Sequence, residues 1–185
     1  MPPFRAGHVG RCPRPGFLLD AQAQRDKREI TLEQLPAVED KAIAEIVQSR
    51  GMTLAMHLCR GNLKSTHAAA GDCEPVVEAL LAQTNLDACF MAYDDARSGD
   101  FRPLRFLPEN KIVVLGLVTT KFGAMESKDD LKRRIDEAAT FAPLDQLCLL
   151  PQCGFSSTVH GNNIAVQAQR DKLALMVEVA GEVWG

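Results

Sequence analysis

The sequence has 185 residues, a formal net charge of −3 at pH 7 and 46% hydrophobic residues. These values are typical of a soluble globular chain with one sizeable core, and they exclude a disordered chain and a basic nucleic-acid-binding protein. The longest apolar run, residues 112–118, is far shorter than the about 20 residues needed to cross a membrane. The first eleven residues lack the apolar segment of a secretory signal. We therefore predict a cytoplasmic protein that has neither nucleic acid nor a membrane as its partner.

Residues 1–50 are predicted to form the first strand–helix unit of the fold. Gly, Pro and Arg dominate its beginning, which indicates a loop around at most a very short strand near residues 7–10. Two helical patterns follow, at residues 17–28 and 31–48. Thr31 and Gln34 have the spacing of a capping box, which places the start of the second helix.

Residues 51–185 alternate short apolar runs with helical patterns. We expect the apolar runs to be strands, at residues 53–59, 88–94, 111–119 and 147–153. Their centres lie roughly 25 to 35 residues apart, which is typical of successive strand–helix units in a parallel sheet. Helices are predicted at residues 74–83, 127–140 and 163–184. The second begins with Ser127 and Asp130 at a capping-box spacing and has Leu131, Ile135 and Ala138 on one face. The third has an apolar stripe that includes Leu173, Met176 and Val177. The sequence thus predicts an α/β fold of about five parallel strands with flanking helices, in one domain overall.

Residues at the ends of two predicted strands are candidate metal ligands. Because side chains alternate along a strand, His57 and Cys59 lie on one face at its carboxyl end, where α/β proteins place their sites. Imidazole and thiolate both suit Zn2+, and Cys153 at the end of the last strand could close the site. The alternative is a half-buried histidine with core cysteines, because an H-x-C spacing is less specific than paired C-x-x-C motifs.

A charged segment follows the predicted strand at residues 88–94. Asp94 and Arg97 lie at the start of its loop, and such groups at a strand's carboxyl end are candidates for binding a charged substrate. A surface cluster of salt bridges is the equally ordinary alternative.

Several motifs together resemble one protein family. They are MHLCRGN at 56–62, YDDARSGDFRPLRFLP at 93–108, VVLGLVTTK at 113–121 and LDQLCLLPQCGFSST at 144–158. These segments are similar to the vitamin-B12-independent methionine synthase family, and in particular to its single-barrel, methionine-synthase-II-like branch. The segment PFRAGHVGRCPRP at 3–15 and the helix after it resemble the beginning of that branch.

This resemblance implies a TIM-barrel enzyme, a methionine-synthase-like S-methyltransferase that moves a methyl group from a folate to a thiol. The thiol is homocysteine in the namesake enzymes, and zinc at the mouth of the barrel binds it. By position, the resemblance assigns the zinc ligands to His57, Cys59 and Cys153, whereas Ala92 replaces the glutamate that the family places on the next strand. The family's HVGS motif, near the substrate, reads HVGR here, so that His8 is the matching substrate-binding candidate.

The chain is also shorter than the about 250 residues of a complete (β/α)8 barrel. Family members have several strands between the first strand–helix unit and the H-x-C strand, whereas residues 48–52 join these parts directly here. We expect the central part of the barrel to be missing and a homo-oligomer to cover the open sheet edges. The alternative is a non-catalytic, internally deleted remnant that is stable only as an oligomer or with a partner. A flavodoxin-like binding domain is disfavoured because no Gly-rich phosphate loop follows a strand.

Overall fold

The computed structural model describes residues 16–31, 34, 38, 41, 53–59, 62, 65, 77–156 and 161–185. The chain divides into two compact units, Met1–Leu54 and Ala55–Gly185. The predicted junction at residues 48–52 lies outside the described ranges, so the direct connection between the two parts stays a prediction.

Helix α1, Gly16–Asp26, lies in the first unit and agrees closely with the helix predicted at residues 17–28. The backbone N–H of Thr31 donates to Oε1 of Gln34 at 2.8 Å, which is one of the two contacts of the predicted capping box. The short strand predicted near residues 7–10 and most of the helix predicted at 31–48 lie outside the described residues.

The second unit contains four parallel strands in the order β1-β2-β3-β4. The strands are β1 Ala55–Leu58, β2 Ala88–Ala92, β3 Ile112–Val118 and β4 Leu147–Pro151. Each lies within its predicted segment, which confirms the α/β class with parallel strands and flanking helices. In the described part of the chain, these four strands form an open sheet that does not close into a barrel.

The two faces of this sheet differ in burial. Residues in register on neighbouring parallel strands share a face, so Met91 and Leu115 lie together, and they are 1% and 0% exposed. The opposite face includes His57 and Phe90, which are also in register. It is more open, because His57 is exposed, Phe90 is half-buried and Leu150 on β4 is exposed. The candidate ligands of β1 therefore lie on the accessible face.

Two long helices follow β3 and β4. Helix α2, Lys128–Ala139, and helix α3, Val166–Trp184, pack against each other, and α3 also contacts β4. Oγ of Ser127 accepts a hydrogen bond from the backbone N–H of Asp130 at 3.4 Å, as the predicted capping spacing requires. The buried face of α2 consists of the three predicted residues, Leu131, Ile135 and Ala138. No helix within the described ranges is long and apolar enough to cross a bilayer.

Several shorter turns complete the second unit. The helix predicted at residues 74–83 is described only in its last part, where Ala79–Gln83 form a π-helical turn. Short 3-10 turns lie at Ala96–Ser98, Arg102–Phe106 and Leu144–Gln146. The last two turns lead into β3 and β4, respectively.

The apolar stripe predicted for α3 is wrong in part. Met176 is buried as expected, but Leu173 and Val177 are 42% and 74% exposed. Lys172 is instead fully buried, as is Val179. Nζ of Lys172 lies 2.7 Å from Oε2 of Glu126 and donates to the backbone carbonyl of Ala124 at 2.5 Å. The ion pair and the hydrogen bond compensate the ammonium group for the loss of water. A lysine rather than a leucine can therefore occupy the buried position of the helix.

Gly116 in the middle of β3 has no room for a side chain. A Cβ atom there would lie 2.9 Å from Cα of Gln152 and 3.0 Å from the carbonyl oxygen of Met91. We expect Gly116→Ala to lower the free energy of unfolding by about 1–3 kcal/mol, because rigid backbone must move to admit the methyl group. Chemical denaturation measures this change.

A matched control for that variant is Gly181→Ala in α3. A Cβ atom at Gly181 meets nothing within 4 Å. In a helix interior this substitution is expected to stabilise the chain by about 0.5–1 kcal/mol. Equal unfolding free energies for the two alanine variants would contradict the close approach at β3.

Candidate metal centre

The first two candidate ligands come from the carboxyl end of β1. His57 lies within the strand and Cys59 directly follows it, so the two side chains leave the sheet on the same face. His57 is exposed and Cys59 is half-buried. Extending the register of β1 and β2 by one residue places Cys59 beside Ala92.

The third candidate ligand follows β4, at the opposite edge of the sheet. In a flat sheet β1 and β4 would lie about 14 Å apart, because neighbouring strands are separated by about 4.8 Å. Nevertheless, Nε2 of His57 lies only 3.2 Å from Sγ of Cys153. The sheet therefore curves strongly enough at its carboxyl edge to bring the side chains of its two outer strands into contact.

These three side chains form a group with the geometry of a metal site. One ligand atom from each of His57, Cys59 and Cys153 lies within 4.8 Å of the other two. It is the only group of three or more His, Cys, Asp and Glu side chains of this kind among the residues that the structure describes. One imidazole nitrogen and two sulfurs are a donor set that Zn2+ accepts, and three protein ligands leave a fourth tetrahedral position open. The residues present thus fit a zinc ion.

The surroundings of the group set its protonation in the metal-free chain. Burial, followed by the neighbouring Cys59 and the charge of Asp94, raises the pKa of the Cys153 thiol to about 12, while the charge of Lys121 opposes this shift. Partial burial lowers the pKa of His57, against the effect of a hydrogen bond to the backbone of Phe90. At neutral pH the imidazole is thus uncharged and ready to bind metal, whereas the Cys153 thiol must first lose its proton.

We expect the zinc affinity of the chain to rise at least about tenfold per pH unit between pH 6.5 and 8, because binding releases at least one thiol proton. The pKa of Cys153, about 12, lies far above this window, so the rise should not level off within it. Partial burial lowers the pKa of His57, so this residue contributes less to the proton release than an ordinary histidine would. Calorimetric titration in two buffers of different ionisation enthalpy counts the protons, and an affinity independent of pH would contradict the assignment of Cys153.

The fourth metal ligand that the resemblance implies has no counterpart at the matching position. Ala92 ends β2 in register with Gly116 and is 4% exposed, so this position is buried and carries no donor atom. Asp94, two residues further on, is not a member of the three-ligand group. Its carboxylate lies 2.7 Å from Nζ of Lys121, and its side chain is only 3% exposed. The chain thus presents three protein ligands and a carboxylate that is already paired with a cation.

The structure describes the three predicted substrate-binding residues to different extents. Asp94 lies at the carboxyl end of β2, as predicted, but in the ion pair with Lys121. Arg97 lies in the turn Ala96–Ser98, and the structure describes its backbone only. His8 lies outside the described residues. The assignment of these three residues to substrate binding stays a prediction.

A polar network that the sequence patterns did not predict follows β3. Nδ2 of Asn62 donates to Oγ1 of Thr120 at 2.9 Å, and that hydroxyl donates to Oε1 of Gln152 at 3.4 Å. Lys121, the next residue, is 6% exposed and binds Asp94. The sequence does contain an indication of this network, because the polar residues Thr119, Thr120 and Lys121 directly follow an apolar run at the carboxyl end of a strand.

The chain is similar in sequence to one family model and to two proteins of Bacillus subtilis. Residues 16–182 match the family model described as the catalytic domain of cobalamin-independent synthase. The chain is 49% identical to the uncharacterized protein YxjH of Bacillus subtilis (strain 168) over 155 residues, which are 82% of this chain and 41% of YxjH. It is 46% identical to the uncharacterized protein YxjG of the same organism over 157 residues, covering 83% of this chain and 42% of YxjG.

A solved structure is also similar. It is that of a Listeria monocytogenes protein provisionally named a vitamin-B12 independent methionine synthase, with 30% identity and a TM-score of 0.62. The match covers 84% of this chain and 43% of the Listeria chain. The chain thus spans about two fifths of the length of the relatives it matches, which fits the predicted absence of the central part of the barrel.

Proposed function

Because the chain belongs to the family of cobalamin-independent synthase catalytic domains, we propose that it is a zinc-dependent S-methyltransferase. In this proposal a methyl group passes from a folate to a thiol, with homocysteine as the acceptor and methionine as the product. The observation that carries the proposal is the 3.2 Å approach of His57 to Cys153 across the whole width of the sheet. If His57 and Cys153 only filled the core on opposite edges of the sheet, packing would not require their side chains to touch.

His57, Cys59 and Cys153 would hold the zinc ion. Bound zinc would lower the pKa of a thiol in its open position and leave the sulfur nucleophilic at neutral pH. The protein's own contribution is to keep the imidazole neutral and oriented. Nε2 of His57 faces Cys153, which leaves the other ring nitrogen for the hydrogen bond to the backbone of Phe90. Such a contact on the far side of a ligand histidine fixes the ring and its tautomer.

The substrates and partners extend this proposal. We assign the thiol acceptor to the open coordination position, and His8, Asp94 and Arg97 to the charged groups of the substrates. A homo-oligomer would cover the edges of β1 and β4, which end the described sheet. The same proposal includes zinc as the metal, a folate as the methyl donor and a cytoplasmic location. It includes neither nucleic acid nor a membrane as a partner.

A zinc assay joined to a transfer assay tests the proposal. The purified full chain is expected to contain about one zinc ion per chain and to convert homocysteine to methionine with a methylated folate. A chain that holds zinc but transfers no methyl group from any folate to any thiol would favour the alternative, a non-catalytic remnant of the family. A chain without zinc, even after incubation with the metal, would contradict the proposed site itself.

A further inference from the structure

Lys121 and Asp94 form a buried ion pair at the carboxyl edge of the sheet. Nζ of Lys121 lies 2.7 Å from Oδ2 of Asp94, and the two side chains are 7% and 3% exposed. The neighbouring carboxylate of Asp95 lies 3.3 Å from the same ammonium group but is 30% exposed. Removing two charges from water is costly, so each charged group is stable in this buried position only while it is paired with the other.

This pair lies beside the three-ligand group. Asp94 follows the family's fourth-ligand position, Ala92, by two residues and leaves β2 on the same side. The charges of both Asp94 and Lys121 act on the thiol of Cys153, in opposite directions. A carboxylate is also an ordinary zinc ligand. Asp94 is therefore a carboxylate that could complete the coordination of the metal but is bound elsewhere.

We propose that Lys121 is a positioning residue, whose ion pair keeps the Asp94 carboxylate from binding the metal and so leaves the fourth coordination position open for an exogenous thiol. This inference rests on the proposed metal site. A zinc site closed by four protein ligands is typically structural, whereas three protein ligands and an open position are typical of sites that bind substrate. Without Lys121, the buried carboxylate would lose its ion-pair partner, and binding to the divalent metal would offset that loss.

Cobalt titration of the full chain tests this role. Co2+ can replace zinc, and its absorption reports the thiolates bound to it, so that 2-mercaptoethanol can be followed as it binds. For Lys121→Met we expect the affinity for 2-mercaptoethanol on the Co2+ form to fall about tenfold or more, while the affinity for Co2+ itself rises. The double variant Asp94→Asn, Lys121→Met should regain the thiol affinity of the parent chain, because the competing carboxylate is gone.

The controls separate positioning from simple support of the fold. Lys121→Arg should keep the parent's thiol affinity, since it keeps the charge, and Asp95→Asn should change it less than about twofold, since that carboxylate is partly exposed. A purely structural role predicts that Lys121→Met loses Co2+ affinity as well and that the double variant does not recover. If Lys121→Met fails to fold, Lys121→Gln serves the same comparison with an uncharged donor.

Three results would overturn the inference, and each rejects a different part of it. Unchanged thiol affinity in Lys121→Met or Lys121→Gln, on a parent chain that binds Co2+, would reject the role of Lys121 and leave the metal site standing. Absence of Co2+ binding by the parent chain would reject the metal site and this inference with it. A loss of 2-mercaptoethanol affinity in Asp94→Asn alone would also reject the inference, because a carboxylate held away from the metal should not assist a thiol without an amino group.

Discussion

Cys153→Ser is expected to lower the zinc affinity of the chain by about a hundredfold or more. Zinc in small four-ligand sites is bound with about 10–16 kcal/mol, so one ligand contributes on the order of 3 kcal/mol, and each 1.4 kcal/mol is about a factor of ten in affinity. A serine hydroxyl does not replace a thiolate, because it stays protonated at neutral pH. Competition titration against a chromophoric chelator measures the change.

Cys148→Ser is the matched control for this prediction. Cys148 lies on β4, five residues before Cys153, and it is likewise half-buried with a pKa raised by burial. It is not a member of the three-ligand group, so its replacement should leave the zinc affinity within about twofold of the parent's. Equal losses for the two serine variants would mean that β4 matters for folding rather than as a source of a ligand.

Ala92→Glu is expected to raise the zinc affinity by about tenfold to a hundredfold. The register of the strands places residue 92 beside Cys59 on the face that carries His57, so a carboxylate there can reach the metal. A fourth protein ligand closes the tetrahedron and adds its own binding free energy. The same variant should unfold more readily without metal, because Ala92 is only 4% exposed and an unpaired carboxylate is costly there.

Ala92→Gln controls for size. Glutamine has nearly the same shape as glutamate but carries no charge and is a poor zinc ligand, so we expect no gain in zinc affinity from it. Thermal unfolding with and without zinc, measured for both variants, separates coordination from packing. Similar zinc affinities for the glutamate and glutamine variants would show that residue 92 does not face the metal.

The residues of the metal centre were predictable one by one from local patterns. Strand alternation placed His57 and Cys59 on one face, and the end of an apolar run marked Cys153. The resemblance to the family implied the missing carboxylate at Ala92. The start of α2 followed from the Ser127 cap, which depends on a contact within a few residues. The parallel strands followed from the spacing of apolar runs along the chain.

The contacts between distant residues were not predictable in the same way. Lys172 lies on a helix that the pattern of apolar residues oriented differently, and its burial depends on Glu126, 46 residues away. Lys121 and Asp94 are separated by 27 residues and meet only because β2 and β3 are neighbours in register. A charged residue next to an apolar run shows a strand end, but the sequence does not say which opposite charge it will pair with.

The sequence by itself determined the parallel α/β class, because the class follows from residue types at short spacings. Its motifs also determined the family, and the resemblance to that family supplied the three candidate ligands. Only the tertiary structure decided that these ligands meet. His57 and Cys153 lie on opposite edges of the sheet, 96 residues apart, and their 3.2 Å contact requires the sheet to curve. That curvature arises from the packing and twist of all four strands together, which no single segment of the chain encodes.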